Sequence, residues 1–436
     1  KYSKLIDASE IIETHDYNLN IRRYVDNTPD PEPEDVQAHL IGGIPESEVS
    51  DKSNEFAKFD VDSDSLFEEE RTDYLSFQSG IESKSDIKAT LESDASLKQI
   101  LEAHHVALEE WWNIARDDFA QLRDGKKTPE VRSQLLTTIK AKFIPLNVLD
   151  EFKSAGVFVN WWQQIRYDLK TIVATGWHHS LIPDDYLIRA FFQAEADETE
   201  VLEARISELL SELAEAVESA QEVSGYEPEE DEKVTAAVIK RALKALIDDL
   251  KDSTGESALN ELAALQKEDK AIKAIEKIIK DTRAELKTKN NELKDKLQLK
   301  RQGGDEFKAE THELMRQLDA QLEKLDPANK ADKRKINALN KDKVVLGVRL
   351  AKVDGLLEEM GGQLTEEESK QLILKKLYDI ANNELNRYLN AEKRALIAVV
   401  ENLWDKYAVS SRKLEQSRKD TLKELDSFLE GLGYLQ

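Results

Sequence analysis

From Ile336 onward, apolar residues fall at alternating intervals of three and four: Ile336, Leu339, Leu346, Leu350, Val353, Leu357 and Met360, with Lys343 in the remaining position. An α-helix brings residues at this spacing onto one narrow stripe, and such a stripe is the seam of a coiled coil. Upstream, Leu265, Ile272, Ile279, Leu286 and Leu293 recur every seven residues, and Leu202, Ile206, Leu209, Leu213 and Val217 begin a third seam. The segments SGYEPEED (Ser224 to Asp231), DSTGES (Asp252 to Ser257), RQGGDE and LDPANKADKRK separate the stripes. Short breaks of this kind favour antiparallel neighbours within one chain over pairing between chains. Residues 195–360 therefore read as an antiparallel coiled-coil arm. Its longest helix, Glu256 to Leu299, would extend roughly 65 Å at the helical rise.

The flanking zones have a different character. Residues 61–194 hold Trp111, Trp112, Phe119, Phe143, Phe158, Trp161, Trp162 and Trp177, punctuated by Gly125, Pro145, Gly156 and Pro183. This is the pattern of short helices around an aromatic core, so the tryptophan pairs read as core residues. The pairs His104–His105 and His178–His179 lack acidic partners at metal-binding spacing and read as interfacial or capping residues. In residues 361–436, GGQLTEEE ends one helix and starts another, with Thr365 and Glu368 as a capping box. No proline follows Pro327, so long helices can run to the end, and Leu385, Leu389, Leu396, Val400 and Leu403 mark an apolar face that needs a partner. Residues 1–60 are acidic and linker-like, with Pro29, Pro31 and Pro33 forcing an extended connector. The expected fold is all-α and elongated: a helical domain, a long antiparallel coiled-coil arm and a C-terminal helical bundle.

Charge and composition narrow the function. A formal net charge of -26 repels nucleic acid and anionic membrane, so any contact with DNA would have to be local. The absence of cysteine excludes disulfides and thiolate metal sites and suits a cytoplasmic protein. No apolar run approaches the roughly 20 residues that span a bilayer, and no signal peptide is visible. The sequence opens on Lys1 and not on methionine, which suggests a fragment with a segment missing upstream.

Two blocks carry a resemblance. DYNLNIRRYVDN (Asp16 to Asn27) is similar to the segment that follows the catalytic domain in modification (M) subunits of type I restriction-modification systems, commonly close to N-D-Y-N-L-N-I-x-R-Y-V-D; Asn18, Asn20, Arg23 and Tyr24 carry the match. EEESKQLILKKLYDIANNELNRYLNAEKRALIAVVENLWDKYAVS and LKELDSFLEGLGYL resemble the C-terminus of the longer members. The blocks bracket the chain from opposite ends. The resemblance implies an S-adenosylmethionine-dependent DNA adenine N6-methyltransferase, acting with a specificity (S) subunit that reads DNA and a restriction (R) subunit that cuts it.

The sequence departs from that family at the chemistry. Adenine methylation needs an N/D-P-P-Y/F tetrapeptide to hold the extruded base and a glycine-rich strand-to-helix turn for the cofactor. Neither occurs here, so no catalytic, cofactor or metal residue is assigned and no small-molecule substrate is expected. The chain reads as the non-catalytic C-terminal part of such a subunit, with S-adenosylmethionine belonging to a domain outside this sequence. The resemblance further implies that the C-terminal helices pack on helical spacers of the specificity subunit. Tyr388, Trp404 and Tyr407 are the candidate anchors, with Arg387 and Arg394 as rim cations. The competing reading closes these aromatics into the chain's own bundle. A free-standing coiled-coil scaffold would leave the opening motif unexplained, and a DNA mimic would not mix its acids with 62 basic residues.

Overall fold

Long runs of Leu, Ala, Glu, Lys and Gln lose little side-chain freedom in a helix, and helix dominates the chain. The computed structural model describes residues 5–20, 24, 34–122, 125, 127–228, 233–252 and 255–432. Arg23, Pro29, Pro31, Pro33 and Tyr434 lie outside the described residues. In chain order come α1 (Val36–Ile41), β1 (Ile44–Pro45), α2 (Glu46–Asp51), α3 (Ser53–Ala57), β2 (Phe67–Arg71), β3 (Tyr74–Phe77), α4 (Lys84–Ser93), α5 (Ala95–Ala120), α6 (Thr128–Phe143) and α7 (Glu151–Thr175). Then follow α8 (Asp184–Phe191), α9 (Gln193–Ser224), α10 (Ala236–Leu250), α11 (Glu256–Leu322), α12 (Lys330–Glu359), α13 (Glu366–Tyr407) and α14 (Ser411–Gly431). The fold is essentially all-α. The strands among the described residues form one small antiparallel sheet, ordered β1-β3-β2, with Ile44 opposite Leu75 and Phe67 opposite Phe77.

The chain divides into two units: Lys1–Asp117, Thr128–Trp161 and Ala381–Gln436 form one, and Asp118–Lys127 with Trp162–Ile380 form the other. This differs from the linear division at residues 60, 194 and 360. The sheet spans the first of those boundaries, and the later half of α13 joins helices from the opposite end of the chain.

In the first unit, Trp111 is fully buried, its indole N–H donating to the Leu135 carbonyl at 3.0 Å and its ring meeting Phe158 and Trp161 edge-on. Trp161 is buried too, in agreement with its reading as core. Leu385, Leu389, Leu396, Val400 and Leu403 of α13 are all buried. Polar ties at the border of this face secure it: Lys58 and Lys153 converge on Glu392 at 3.4 and 2.8 Å, Lys393 meets Glu92 at 2.9 Å, and His105 reaches Asn382 at 3.0 Å.

In the second unit, α9 runs antiparallel to the early part of α11, with Lys289 on Glu198 and Lys296 on Glu195, both at 2.7 Å. Val217, Ala220, Ile239, Leu243, Leu265 and Ile272 of α9, α10 and α11 form their shared core. The expected break at RQGGDE is a kink within α11 at Gly303, whose φ of 80° and ψ of 177° leave the helical region. Beyond it, α11 and α12 form an antiparallel hairpin, with Lys308 on Asp354 at 2.6 Å and Lys343 on Asp319 at 2.5 Å. The kink frees carbonyls from the helical ladder. Leu364 N–H donates to the Lys300 carbonyl at 2.8 Å, and the Gln363 amide to that of Arg301 at 3.2 Å. Lys300 itself is buried, its ammonium donating to the Met360 and Gly362 carbonyls at 3.4 and 3.3 Å and lying over the Phe191 ring.

Candidate partner-docking surface

The sequence places its docking candidates on α13, and the structure separates them into inward and outward groups. Tyr407 faces inward. It is buried, its hydroxyl donates to Glu48, and its ring packs 5.2 Å from His39. Burial first, and then the bond to Glu48, hold that hydroxyl well above the usual phenol range. Lys406 reaches the same carboxylate at 3.0 Å. Tyr407 is therefore not a surface anchor, because its polar tip, which would have met a partner, is taken by Glu48. Trp404 is half-buried against Phe77, with ring centres 4.9 Å apart. Tyr388 is half-buried as well and accepts a hydrogen bond from the Asn160 amide at 3.0 Å. All three aromatics thus contribute to the packing of their own unit.

Arg387 and Arg394 face outward. Arg387 pairs with Glu384 at 2.8 Å one turn away, and Arg394 donates to the Asn390 carbonyl of its own helix at 3.1 Å. Both are exposed and held only locally, as rim cations would be.

An open apolar stripe lies one helix further on. Ser410 caps α14, its hydroxyl accepting from the Lys413 N–H at 3.3 Å. No residue of α14 is buried; Leu414 is 61% exposed, Leu425 51%, Phe428 72% and the adjoining Leu432 69%. These four share one face with Arg418 and Thr421, since at 3.6 residues per turn all six fall within about 80° of arc. Helix α1 meets the other side. Arg412 and Gln416, roughly opposite the stripe, and Lys413 at its side line a cleft of 630 Å³ with Ile41, Gly42 and Phe77. The apolar front of α14 is open.

The opening motif is a local knot. Asn18 N–H donates to the His15 carbonyl and Asn20 N–H to the Asn18 side-chain oxygen, both at 2.9 Å. The Tyr24 hydroxyl donates to the Asn18 carbonyl, and its buried ring meets His15 edge-on. Asn18, Asn20 and Tyr24 are brought together; Arg23 lies outside the described residues. Among the histidine pairs, His104 is fully buried with Nδ1 on the Ile100 carbonyl at 2.8 Å, and the His178 and His179 rings stack 4.1 Å apart. Among the described residues no group of three or more His, Asp or Glu is placed to hold a metal ion, and no helix is long and apolar enough to cross a membrane.

Sequence reasoning missed Glu48 and most of the α14 stripe. The stripe had a signal: Leu414, Arg418, Thr421, Leu425, Phe428 and Leu432 alternate at four and three. Compared with protein-family models, with curated proteins and with solved structures, the chain finds no match.

Proposed function

We propose that this chain is the non-catalytic assembly region of a type I restriction-modification methyltransferase subunit, and that its C-terminal helices receive the specificity subunit. The observation that carries the docking half is α14, an amphipathic helix with an open apolar face and no buried residue. Isolated helices of about this length are marginal in water, and packing of the apolar face supplies most of a helix's stability. A helical spacer on a partner would supply that packing, with Arg387 and Arg394 as rim cations facing its carboxylates. The family half rests on the Asn18 to Tyr24 motif and on the tail block. In this reading methyl transfer and S-adenosylmethionine binding belong to another domain of the subunit, and DNA and the restriction subunit are met through the assembled complex. A free-standing scaffold is less well supported, because the coiled-coil seams of α9 to α12 pack on one another within the unit.

The test is co-expression with a type I specificity subunit. The chain ending at Ser410 should keep its fold, since no residue of α14 is buried, yet lose most of its co-purification. Recovery of the specificity subunit at the parent's level by the shortened chain would refute the docking assignment.

A further inference from the structure

The hairpin of α11 and α12 treats its cations in two ways. Along its shaft, residues 304–323 and 342–359, every lysine and arginine meets a carboxylate: Lys308 on Asp354, Arg316 on Glu313, Lys343 on Asp319, Arg349 on Asp295 and Lys352 on Glu292. At the tip, residues 324–341, the bases are Lys324, Lys330, Lys333, Arg334, Lys335 and Lys341, and all are exposed. Among the described residues none of them forms an ion pair. The tip has two acids, and both serve its turn: the Asp326 carboxylate accepts from the Ala328 N–H at 2.9 Å, and that of Asp332 from the Asp326 N–H at 3.4 Å.

This crowding of like charge does not stabilise the hairpin. Lys330 stands in the first turn of α12, where the helix dipole disfavours a cation. Lys324 and Lys335 line one pocket of 420 Å³ together with Gln321, Leu325, Ala338 and Leu339, and no acid lines it. A bound polyanion would offset both. The exposed lysines earlier in α11 are placed differently, since they run along α9, whose 32 residues hold ten acids and one base.

The outward cations form a row. Lys330, Arg334, Asn337 and Lys341 fall within about 60° of arc and span about 16 Å, turned away from the seam of Ile336, Leu339, Leu346 and Leu350. The neighbouring acids face elsewhere. Asp332 and Asp342 fall on the seam side of α12 and Glu323 on the side of α11 turned from the hairpin partner, while Asp319 is tied to Lys343. Large apolar side chains join this face only past Lys341, at Val344 and Val345.

We propose that the tip of this hairpin binds the phosphate backbone of a nucleic-acid duplex. Lysine is depleted at protein–protein interfaces, whereas ammonium, guanidinium and amide groups in a row are what phosphates are met by. No aromatic residue occurs between 321 and 341 to stack on an unpaired base, which favours a duplex over a single strand. The contact is local, as the net charge of -26 requires; at about 0.1 M salt, exposed charges more than about 10 Å away are largely screened. It goes beyond the proposed function, in which DNA is met through the assembled complex, and does not depend on the docking of α14.

The test is fluorescence anisotropy of the full chain, without the specificity subunit, against labelled DNA and RNA duplexes of about 20 base pairs and random sequence at about 50 mM salt. Micromolar binding of either duplex is expected, and the tighter one names the source. The logarithm of affinity should fall against that of salt with a slope of roughly −3, one phosphate for each cation of the row. Lys330→Gln, Arg334→Gln and Lys341→Gln together, on exposed side chains without carboxylate partners, should leave the helical circular dichroism intact and weaken binding roughly tenfold or more. Lys267→Gln, Lys270→Gln and Lys277→Gln, the same change of charge earlier in α11, should leave it within about twofold. Equal loss in the two triple variants, or no binding of either duplex, would overturn the proposal. So would a salt slope near zero for the unaltered chain, which reads the contact without any substitution. Polyglutamate competing as well as unlabelled duplex would assign the tip to an acidic protein surface and overturn it too.

Discussion

Gly156 and Tyr388 meet so closely that no side chain fits at 156 while the tyrosine is in place. A Cβ at position 156 would lie 2.9 Å from the Tyr388 ring carbon that bears the hydroxyl, and Asn160 holds that hydroxyl one turn further along α7. Replacing a glycine inside a helix by alanine ordinarily stabilises by about 0.5–1 kcal/mol. Gly156→Ala should instead cost roughly 1–3 kcal/mol through overpacking, read as a lower denaturation midpoint. In a Tyr388→Ala background the same substitution should become favourable, so the two changes are strongly coupled. A Gly156→Ala chain at least as stable as the parent would contradict the packing. Tyr388 is legible in the sequence as an amphipathic residue, but its partner is not, because no local pattern marks a gap shaped for a ring. Glu48 is invisible for a related reason: acids are almost never buried unless paired, and its partners Tyr407 and Lys406 lie near the other end of the chain.

The helices themselves are plain in the sequence, because a period of three and four leaves one stripe and the buried residues fall on it. Leu265, Ile272, Ile279 and Leu293 are all buried. The junction at Gly303 is only half legible. Paired glycines announce a break, yet whether the chain turns or kinks depends on Gln363 and Leu364, which take the carbonyls that the kink frees. Gly303 holds a positive φ, and a Cβ there would approach the Gln363 amide oxygen to 2.6 Å. Gly303→Ala should therefore cost roughly 1–3 kcal/mol. Gly347 lies within α12 with nothing within 4 Å of its missing Cβ. Gly347→Ala should be neutral or stabilising by up to about 1 kcal/mol. Thermal unfolding followed by circular dichroism compares the two, and equal stabilities would show that the kink does not depend on glycine.

Association between distant segments is where sequence reading stops. Periodicity tells which face of a helix is apolar but not which helix covers it, so the expectation that α13 aromatics serve a partner gave way to their packing on α7, the sheet and α1. The apolar face of α14 stays open, and the proposal that this chain assembles with a specificity subunit rests on it. Hydrogen–deuterium exchange of the full chain, alone and with the specificity subunit, tests this most directly. Amides of 411–431 should exchange rapidly in dilute chain, since no residue of α14 is buried, and slow markedly once the subunit is bound. Formation of the complex with exchange across α14 unchanged would contradict the docking assignment.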